Sequence, residues 1–503
     1  MNEVLLGIDI GTSSCKVAAF NKKGHVIDQA TGEYPVYYPQ NGWAEQNPQE
    51  WWEQVAAAIR QIMNRGKVKG SDIKGIGVAG QSWSAIMIDQ AGEVITNTPI
   101  WMDQRSTEIC EKLEAKFGKD EIFKVSGNPL KATYSFPKIV WFKENQPEIY
   151  EKTVQVLQSN SYIVYQLTGK FSQDKSQGYG LHFFDTKKGT YDFDWCDKFG
   201  LDPSLFPPIF ECHEIVGLTT ASIATETGLP VGIPVVAGGL DAACGTLGAG
   251  VISNGQTQEQ GGQAGGMSIC LEHYQVDERL ITSHHVVPGR WLLQGGTVGG
   301  AGVAKWMLNQ FCQEEIVLAN ELHKNPFSVM EEKIAGIPAG SDGVVFLPYM
   351  SGERSPVWDA AAKGIYFGLD FAKTKAHFLK AGYEGVAYAL KHNLDVAELS
   401  GAIVSELHAM GGAANSLIWT QIKADVTGKR IVVPATDEAT TFGAAILAGV
   451  ATGVYESFEE AVTKTVSTKR IHEPNAEFAS IYQKNYEKYL SIYENLKTLM
   501  RSD

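Results

Sequence analysis

Near the N-terminus, apolar residues come in short runs separated by turn residues. Val4 to Ile10 is apolar and partly β-branched, Gly11-Thr12-Ser13-Ser14 turns, Cys15 to Phe20 is apolar again, Asn21-Lys22-Lys23-Gly24 turns, and His25 to Ala30 follows. Such runs between turn residues predict three strands in a meander. From Pro48 to Met63, Trp52, Val55, Ala56, Ile59 and Ile62 recur near helical spacing, which predicts a helix. Ile73 to Ala79 predicts a further strand. A comparable order returns later. Ile233 to Gly238 reads as a buried strand, Met267–Leu271, His284–Val287 and Trp291–Gln294 as short strands, and a helix runs from near Gly300 through Trp306. The two halves do not align as a repeat, but the recurrence predicts two α/β domains joined near residue 245. Glu477 to Met500 predicts one amphipathic helix, its stripe formed by Phe478, Ile481, Tyr482, Tyr486, Tyr489, Leu490, Tyr493 and Leu496, and read as core packing.

Length agrees with this division, since 503 residues exceed what one core supports. The hydrophobic fraction of 44% and charged fraction of 20% are those of an ordinary globular protein. No apolar run is long enough to span a membrane, and the first residues lack the basic region of a signal peptide, so a cytoplasmic protein is expected. A net charge of −14 disfavours a nucleic-acid partner, and it leaves any phosphate ligand to be held by local groups and a metal. Seven scattered cysteines without a C-x-x-C pair read as reduced, mostly buried thiols.

Two carboxylates stand out in that setting. Asp9 ends the first predicted strand and is followed by Gly11, Thr12, Ser13 and, shortly after, Lys16. Backbone N–H groups of such a turn can form an anion-binding concavity, to which hydroxyls and a lysine add donors. Asp9 would meet a phosphate only through Mg²⁺ and its waters. Asp241 lies in Gly238-Gly239-Leu240-Asp241-Ala242-Ala243, just past a strand end at the start of a helix. There it can serve chemistry or cap the helix, and the residues alone leave both open. Gly411-Gly412-Ala413-Ala414-Asn415 offers glycines that let a flat ring approach the backbone, or a plain loop. Gly443 to Gly449 is a run of small residues that suits close helix packing as well as a ligand. No phosphate loop of the G-x-x-x-x-G-K-[ST] type and no H-E-x-x-H occurs. Gly80-Gln81-Ser82-Trp83-Ser84 lacks the closing glycine of a nucleophile elbow.

Together these stretches resemble the FGGY family of carbohydrate kinases, from Gly7 to about Tyr493. Ser135-Phe136-Pro137-Lys138-Ile139-Val140-Trp141 is similar to the family's first signature, with Thr133 off-pattern. Gly364-Ile365-Tyr366-Phe367-Gly368-Leu369 with His377-Phe378 and Ala381-Gly382-Tyr383-Glu384 is similar to the second, with Gly382 off-pattern. The resemblance implies two actin-like, ribonuclease-H-like domains with an interdomain cleft: residues 1–245 on the sugar and phosphate side, and 246–503 on the nucleotide side. It implies ATP and Mg²⁺, with Asp241 as general base and Asp9 holding the metal near Asp241. Gly11, Thr12, Ser13 and Lys16 would face phosphates, with Gly262, Gln263 and Gly302 beside the nucleotide and Gly412, Ala413 and Asn415 lining its adenine and ribose. Gln81, Ser82, Trp83, Asp103 and Asp241 would meet the sugar. A homodimer follows from the resemblance alone.

Within the family, Gly80-Gln81 and Trp101-Met102-Asp103-Gln104-Arg105 look most like the xylulose kinases, which points to a ketopentose such as D-xylulose. Three positions depart from that pattern. Ser82-Trp83 stands where Met-His is usual, Ala242 where Asn is usual, and Gly262-Gln263-Ala264 where Gly-Thr-Ser is usual. Other acceptors therefore remain expectations beside xylulose: ribulose, gluconate, glycerol or another polyol. A non-catalytic, sugar-responsive protein on the same fold is the reading from another class.

Overall fold

A computed structural model of the chain describes residues 3–436 and 438–501. It contains two compact units. The first comprises 1–252, 270–292 and 438–467, and the second 253–269, 293–437 and 468–503.

The first unit is built on β1 (Val4–Ile10), β2 (Ser14–Asn21) and β3 (Val26–Glu33), the expected antiparallel meander. Helix α1 (Pro48–Arg65) follows, capped by Asn47, whose side chain accepts the Gln49 N–H, and stopped by left-handed Gly66 at φ 71°. Its buried face carries Trp51, Trp52, Val55, Ala56, Ile59 and Ile62. The chain then returns as β4 (Ile73–Gly80), parallel to β1 and apolar except for Lys74 near its start, as suits a strand covered on both faces. Helix α2 (Ser135–Asn145) carries the first family-like signature. With β5 (Ile215–Leu218) and β6 (Pro234–Val236) the sheet reads β5–β6–β4–β1–β2–β3, and β7 (Gly239–Leu240) pairs with the end of β4. Helix α3 (Asp241–Gly248) starts directly from β7. The helix Ala439–Ala451 lies across this sheet so tightly that a Cβ on Gly7 would stand 1.8 Å from the Thr441 carbonyl oxygen, and one on Gly77 1.9 Å from that of Ala444.

The second unit repeats the plan. Strands β8 (Gln256–Gly261), β9 (Gly265–Leu271) and β10 (Trp291–Thr297) neighbour one another in the order β10–β9–β8, and β8 is antiparallel to β9. Helix α4 (Ala301–Phe311) and the long α5 (Lys375–Leu399) follow. Strand β11 (Glu406–Met410) lies parallel beside β8, as β4 lies beside β1. Helix α6 (Leu417–Thr427), β12 (Ile431–Pro434), β13 (Thr468–His472) and helix α7 (Ala479–Met500) complete it. The expected recurrence is thus a recurrence of strand order. The stretch expected as a strand over His284–Val287 is displaced: the strand is Ile281–His284, because His285 turns the chain by donating its N–H to the Arg290 carbonyl. In α7, Tyr482, Tyr486, Tyr489 and Tyr493 are buried as expected, whereas Phe478 precedes the helix and is 37% exposed. No helix among the described residues is long and apolar enough to cross a membrane. All seven cysteines are buried and free.

Candidate active site

Asp9 occupies the last turn of β1, opposite Lys16 on β2 and Ala79 on β4. The turn beyond it is tied from within the unit through its carbonyls. The Tyr34 hydroxyl donates to the Gly11 carbonyl at 2.7 Å, Gln46 Nε2 to that of Thr12 at 2.7 Å, and the Tyr34 N–H to that of Ser13 at 3.2 Å. Trp101 Nε1 donates to the Thr12 hydroxyl at 3.0 Å. With its carbonyls engaged, the turn offers an anion little that would repel it. Lys16, expected to face phosphates, is paired: its Nζ donates to both carboxylate oxygens of Glu438, at 3.0 and 2.8 Å. The lysine side chain keeps 34% of its exposure, so the pair is reachable from solvent.

Asp241 does not cap its helix. Leu240 is the N-cap residue without a side-chain bond, and Asp241 is the first helical residue, its Oδ1 accepting only the Ala242 N–H at 2.6 Å. That geometry shows no capping bond from the Asp241 side chain. Burial raises the Asp241 pKa to about 6. Burial, with Asp241 as the next largest influence, pushes Asp9 up to about 8, while Lys16 opposes the rise and Glu438 adds to it. Asp9 Oδ1 is shielded from solvent and has no hydrogen-bond partner. An orphaned carboxylate oxygen beside a second carboxylate is a place where a cation is favourable. No group of three or more potential metal ligands occurs among the described residues. The chain itself thus offers this pair, and Mg²⁺ commonly takes one or two carboxylates and completes its shell with waters and substrate phosphates.

The expected sugar-side residues Gln81, Ser82, Trp83 and Asp103 all lie in the first unit. Gln81 is buried, its Nε2 donating to Gln46 Oε1 at 2.8 Å while its Oε1 lacks a partner. Ser82 is partly exposed. Trp83 holds a left-handed backbone at φ 63°, rare for a bulky residue and a mark of local strain. Its ring packs 4.4 Å from Tyr134 and 5.9 Å from Tyr179. The strain is held by Lys138, which the sequence presented only as part of a signature. Lys138 is wholly buried, and its Nζ donates to the carbonyls of Trp83, Ile100 and Thr133 at 2.8, 2.7 and 2.7 Å. Burial pulls its pKa down to about 7. The Asp103 carboxylate opposes that pull, and the three carbonyls match the three donors that only an ammonium carries. Replacing Lys138 by Met should cost about 2 kcal/mol of stability: three buried carbonyls lose their donor, while the desolvation cost of the charge also disappears. Urea denaturation measures it, and an unchanged midpoint would contradict the role.

Asp103 departs from expectation. Its side chain has no solvent exposure, and both oxygens are engaged: Oδ1 with the Arg105 N–H and Nε, and Oδ2 with the Ala44 N–H and Arg105 Nη2. It fixes Arg105, which also pairs with Glu45 at 2.7 Å and lies 3.7 Å over the Trp43 ring. A carboxylate already holding four N–H groups has little capacity left for a sugar hydroxyl.

The residues expected beside the nucleotide gather in the second unit. The Gly262 and Gln263 carbonyls accept the N–H groups of Ala301 and Gly302, at 2.7 and 3.0 Å, tying the exposed Gln263 turn to the start of α4. Gly411, at φ 82°, lies so near Gly261 that a Cβ would stand 2.8 Å from its carbonyl oxygen. Gly412 and Asn415 are exposed and Ala413 is buried. Beneath them, Lys423 and Glu259 form a buried pair at 2.6 Å. Glu438, Tyr134 and Tyr179 were not singled out in the sequence; Glu438 is 422 positions from the lysine it pairs with, and no local pattern marks it.

Comparison with known proteins agrees with the two-domain fold. Residues 4–248 match the N-terminal domain of the FGGY family of carbohydrate kinases and residues 271–452 its C-terminal domain. The chain is 29% identical over 500 residues to a xylulose kinase of Bacillus subtilis, covering 98% of this chain and 97% of that protein. It is also 29% identical over 504 residues to a gluconokinase of the same species, covering 100% and 97%. A xylulose kinase structure from Rhodospirillum rubrum superposes with a TM-score of 0.90 at 27% identity, covering 99% of this chain and all of that one. The chain belongs to the FGGY family of carbohydrate kinases.

Proposed function

We propose that this carbohydrate kinase transfers the γ-phosphoryl group of ATP to a hydroxyl of a neutral ketose, a ketopentose such as D-xylulose, with Asp241 as general base. The observation that carries the reading is the Asp9–Asp241 pair, in which Asp241 is raised to about 6. A carboxylate near neutral pH can both be ionised and accept a proton effectively. Asp241 takes the hydroxyl proton as the oxygen attacks phosphorus. Gly11, Thr12, Ser13 and Lys16 hold the phosphates, and Gln81, Ser82 and Trp83 orient the acceptor. Mg²⁺, held through Asp9 and Asp241, would neutralise charge on the phosphate oxygens. Gly262, Gln263, Gly302, Gly412, Ala413 and Asn415 receive the nucleotide, so that residues 1–245 serve sugar and phosphate and 246–503 the nucleotide. A cytoplasmic homodimer completes the proposal.

Identity does not choose between xylulose and gluconate, since both kinds of relative stand at 29%. Charge favours the neutral acceptor. A sugar acid needs an uncommitted cation for its carboxylate. The two cations that brace the sugar-side residues are committed, Lys138 to three carbonyls and Arg105 to Asp103 and Glu45. Sugar-dependent ADP release, measured over D-xylulose, D-ribulose, gluconate and glycerol, should give kcat/KM for xylulose about 100-fold above gluconate. A preference for gluconate would overturn the neutral-acceptor reading. Sugar binding without ADP release from any acceptor would favour the non-catalytic one.

A further inference from the structure

Behind Asp241 lies a buried carboxylate that the reaction does not use. Asp174 has no solvent exposure and no cationic partner among its hydrogen bonds. Its Oδ1 accepts from the Ser176 hydroxyl at 2.6 Å, the Gln177 N–H at 2.9 Å and the Cys212 thiol at 3.9 Å, and its Oδ2 from Asn160 Nδ2 at 2.9 Å. Burial raises the Asp174 pKa, and a buried carboxyl without a counter-ion is costly even when hydrogen-bonded, so its place needs a reason.

The donors supply one. Ser176 has one hydroxyl proton, directed at Asp174, and its oxygen lone pair accepts the Leu240 N–H at 2.8 Å. Leu240 directly precedes Asp241. Asn160 also donates to the Ala237 carbonyl at 3.0 Å, on the approach to the same residue. On the other side, Gln177 Nε2 donates to Asn160 Oδ1 at 3.0 Å and to the Gly80 and Gln81 carbonyls at 3.2 and 3.3 Å. The Ser159 hydroxyl also reaches the Gln81 carbonyl, at 2.7 Å. There is no slack in this network: a Cβ on Gly239 would stand 2.6 Å from Ser176 Oγ.

We propose that Asp174 is a positioning residue that, through Ser176, Asn160 and Gln177, ties the backbone bearing Asp241 to the backbone bearing Gln81. This rests on the reading of Asp241 as the base. The acceptor hydroxyl must lie within hydrogen-bond reach of Asp241 while its sugar rests on the Gln81 side, and the network fixes that spacing. Small misplacements of catalytic groups cost rate rather than binding.

The test is a kinetic cycle of Ser176→Ala, Asp241→Asn and the double variant, with Tm recorded for each. Ser176→Ala should lower kcat about 30-fold, with KM for ATP unchanged. In the Asp241→Asn background the same change should have less than about a twofold effect on the residual rate, because a relay has nothing left to position. A purely structural hydroxyl would lower both rates alike, and that result overturns the proposal, as does Ser176→Ala with wild-type kcat. If Ser176→Ala is wild-type while Asp241→Asn is inactive, positioning falls and the base stands. If Asp241→Asn retains normal turnover, the base falls and the proposal with it. Should Ser176→Ala fail to fold, Asn160→Ala is read in the same cycle with the same criteria.

Discussion

Asp241→Asn should lower kcat for sugar phosphorylation about 10³-fold while ATP binding stays near its wild-type strength. The substitution preserves volume and still accepts the Ala242 N–H, which is the only hydrogen bond the Asp241 side chain makes in the structure. It removes the one group at the start of α3 that can receive a proton near neutral pH, since Asp241 stands at about 6. The acceptor hydroxyl then attacks without a base, and phosphoryl transfer falls back on positioning and charge neutralisation. Asp9, Lys16 and the Gly11 turn remain in place, so the nucleotide side is not disturbed. The measurement is kcat from sugar-dependent ADP release beside calorimetric titration with ATP. Turnover within tenfold of wild type would remove Asp241 from the role of base, and a parallel loss of ATP affinity would show that its proposed hold on Mg²⁺, or a structural part, outweighs that role.

What could be read in the sequence was what is local. The meander β1–β2–β3, the helix from Pro48 and the amphipathic C-terminal helix each follow from a period of apolar residues and the turn residues that end it. Asp9 and Asp241 stood out by their places at strand ends amid glycines, but for Asp241 the residues alone left a helix cap open, and its expected role came from its pairing with Asp9 and the family resemblance. The partners of these residues were not legible. Glu438 reaches Lys16 from another part of the chain, and Asp174 reaches the peptide before Asp241 through a serine 64 positions away from it. Asp103 was placed toward the sugar by the family resemblance, and its engagement by Arg105, which folds back onto both its oxygens, was not legible in the sequence. Lys138 was visible as a signature residue but not as the donor to three carbonyls, since those acceptors come from three separate loops. Trp83 shows the same limit: its left-handed backbone is imposed by Lys138 and the rings around it, not by its own sequence context.

The run from Gly443 to Gly449 suited either a ligand or close helix packing, and the structure places Gly443 in packing. A Cβ there would stand 1.8 Å from the Cys244 carbonyl oxygen, and one on Gly248 1.9 Å from that of Ala439, so the helix Ala439–Ala451 and α3 meet backbone to backbone. Gly443→Ala should therefore cost the first unit about 4 kcal/mol, above the usual cost of one added methyl group. Overpacking is ordinarily relieved when side chains change rotamer; here the obstacle is a carbonyl within α3, and only movement of a whole helix makes room. The helix that must move begins at Asp241, so the folded fraction should also lose kcat. The Gly336→Ala variant is the control: a Cβ there has nothing within 4 Å, and its stability should change by less than about 0.5 kcal/mol. Urea denaturation of both variants beside kcat at low temperature measures the pair of effects. Gly443→Ala with a wild-type midpoint would show that the two helices have room to separate, and would return the small-residue run to the question of what it binds.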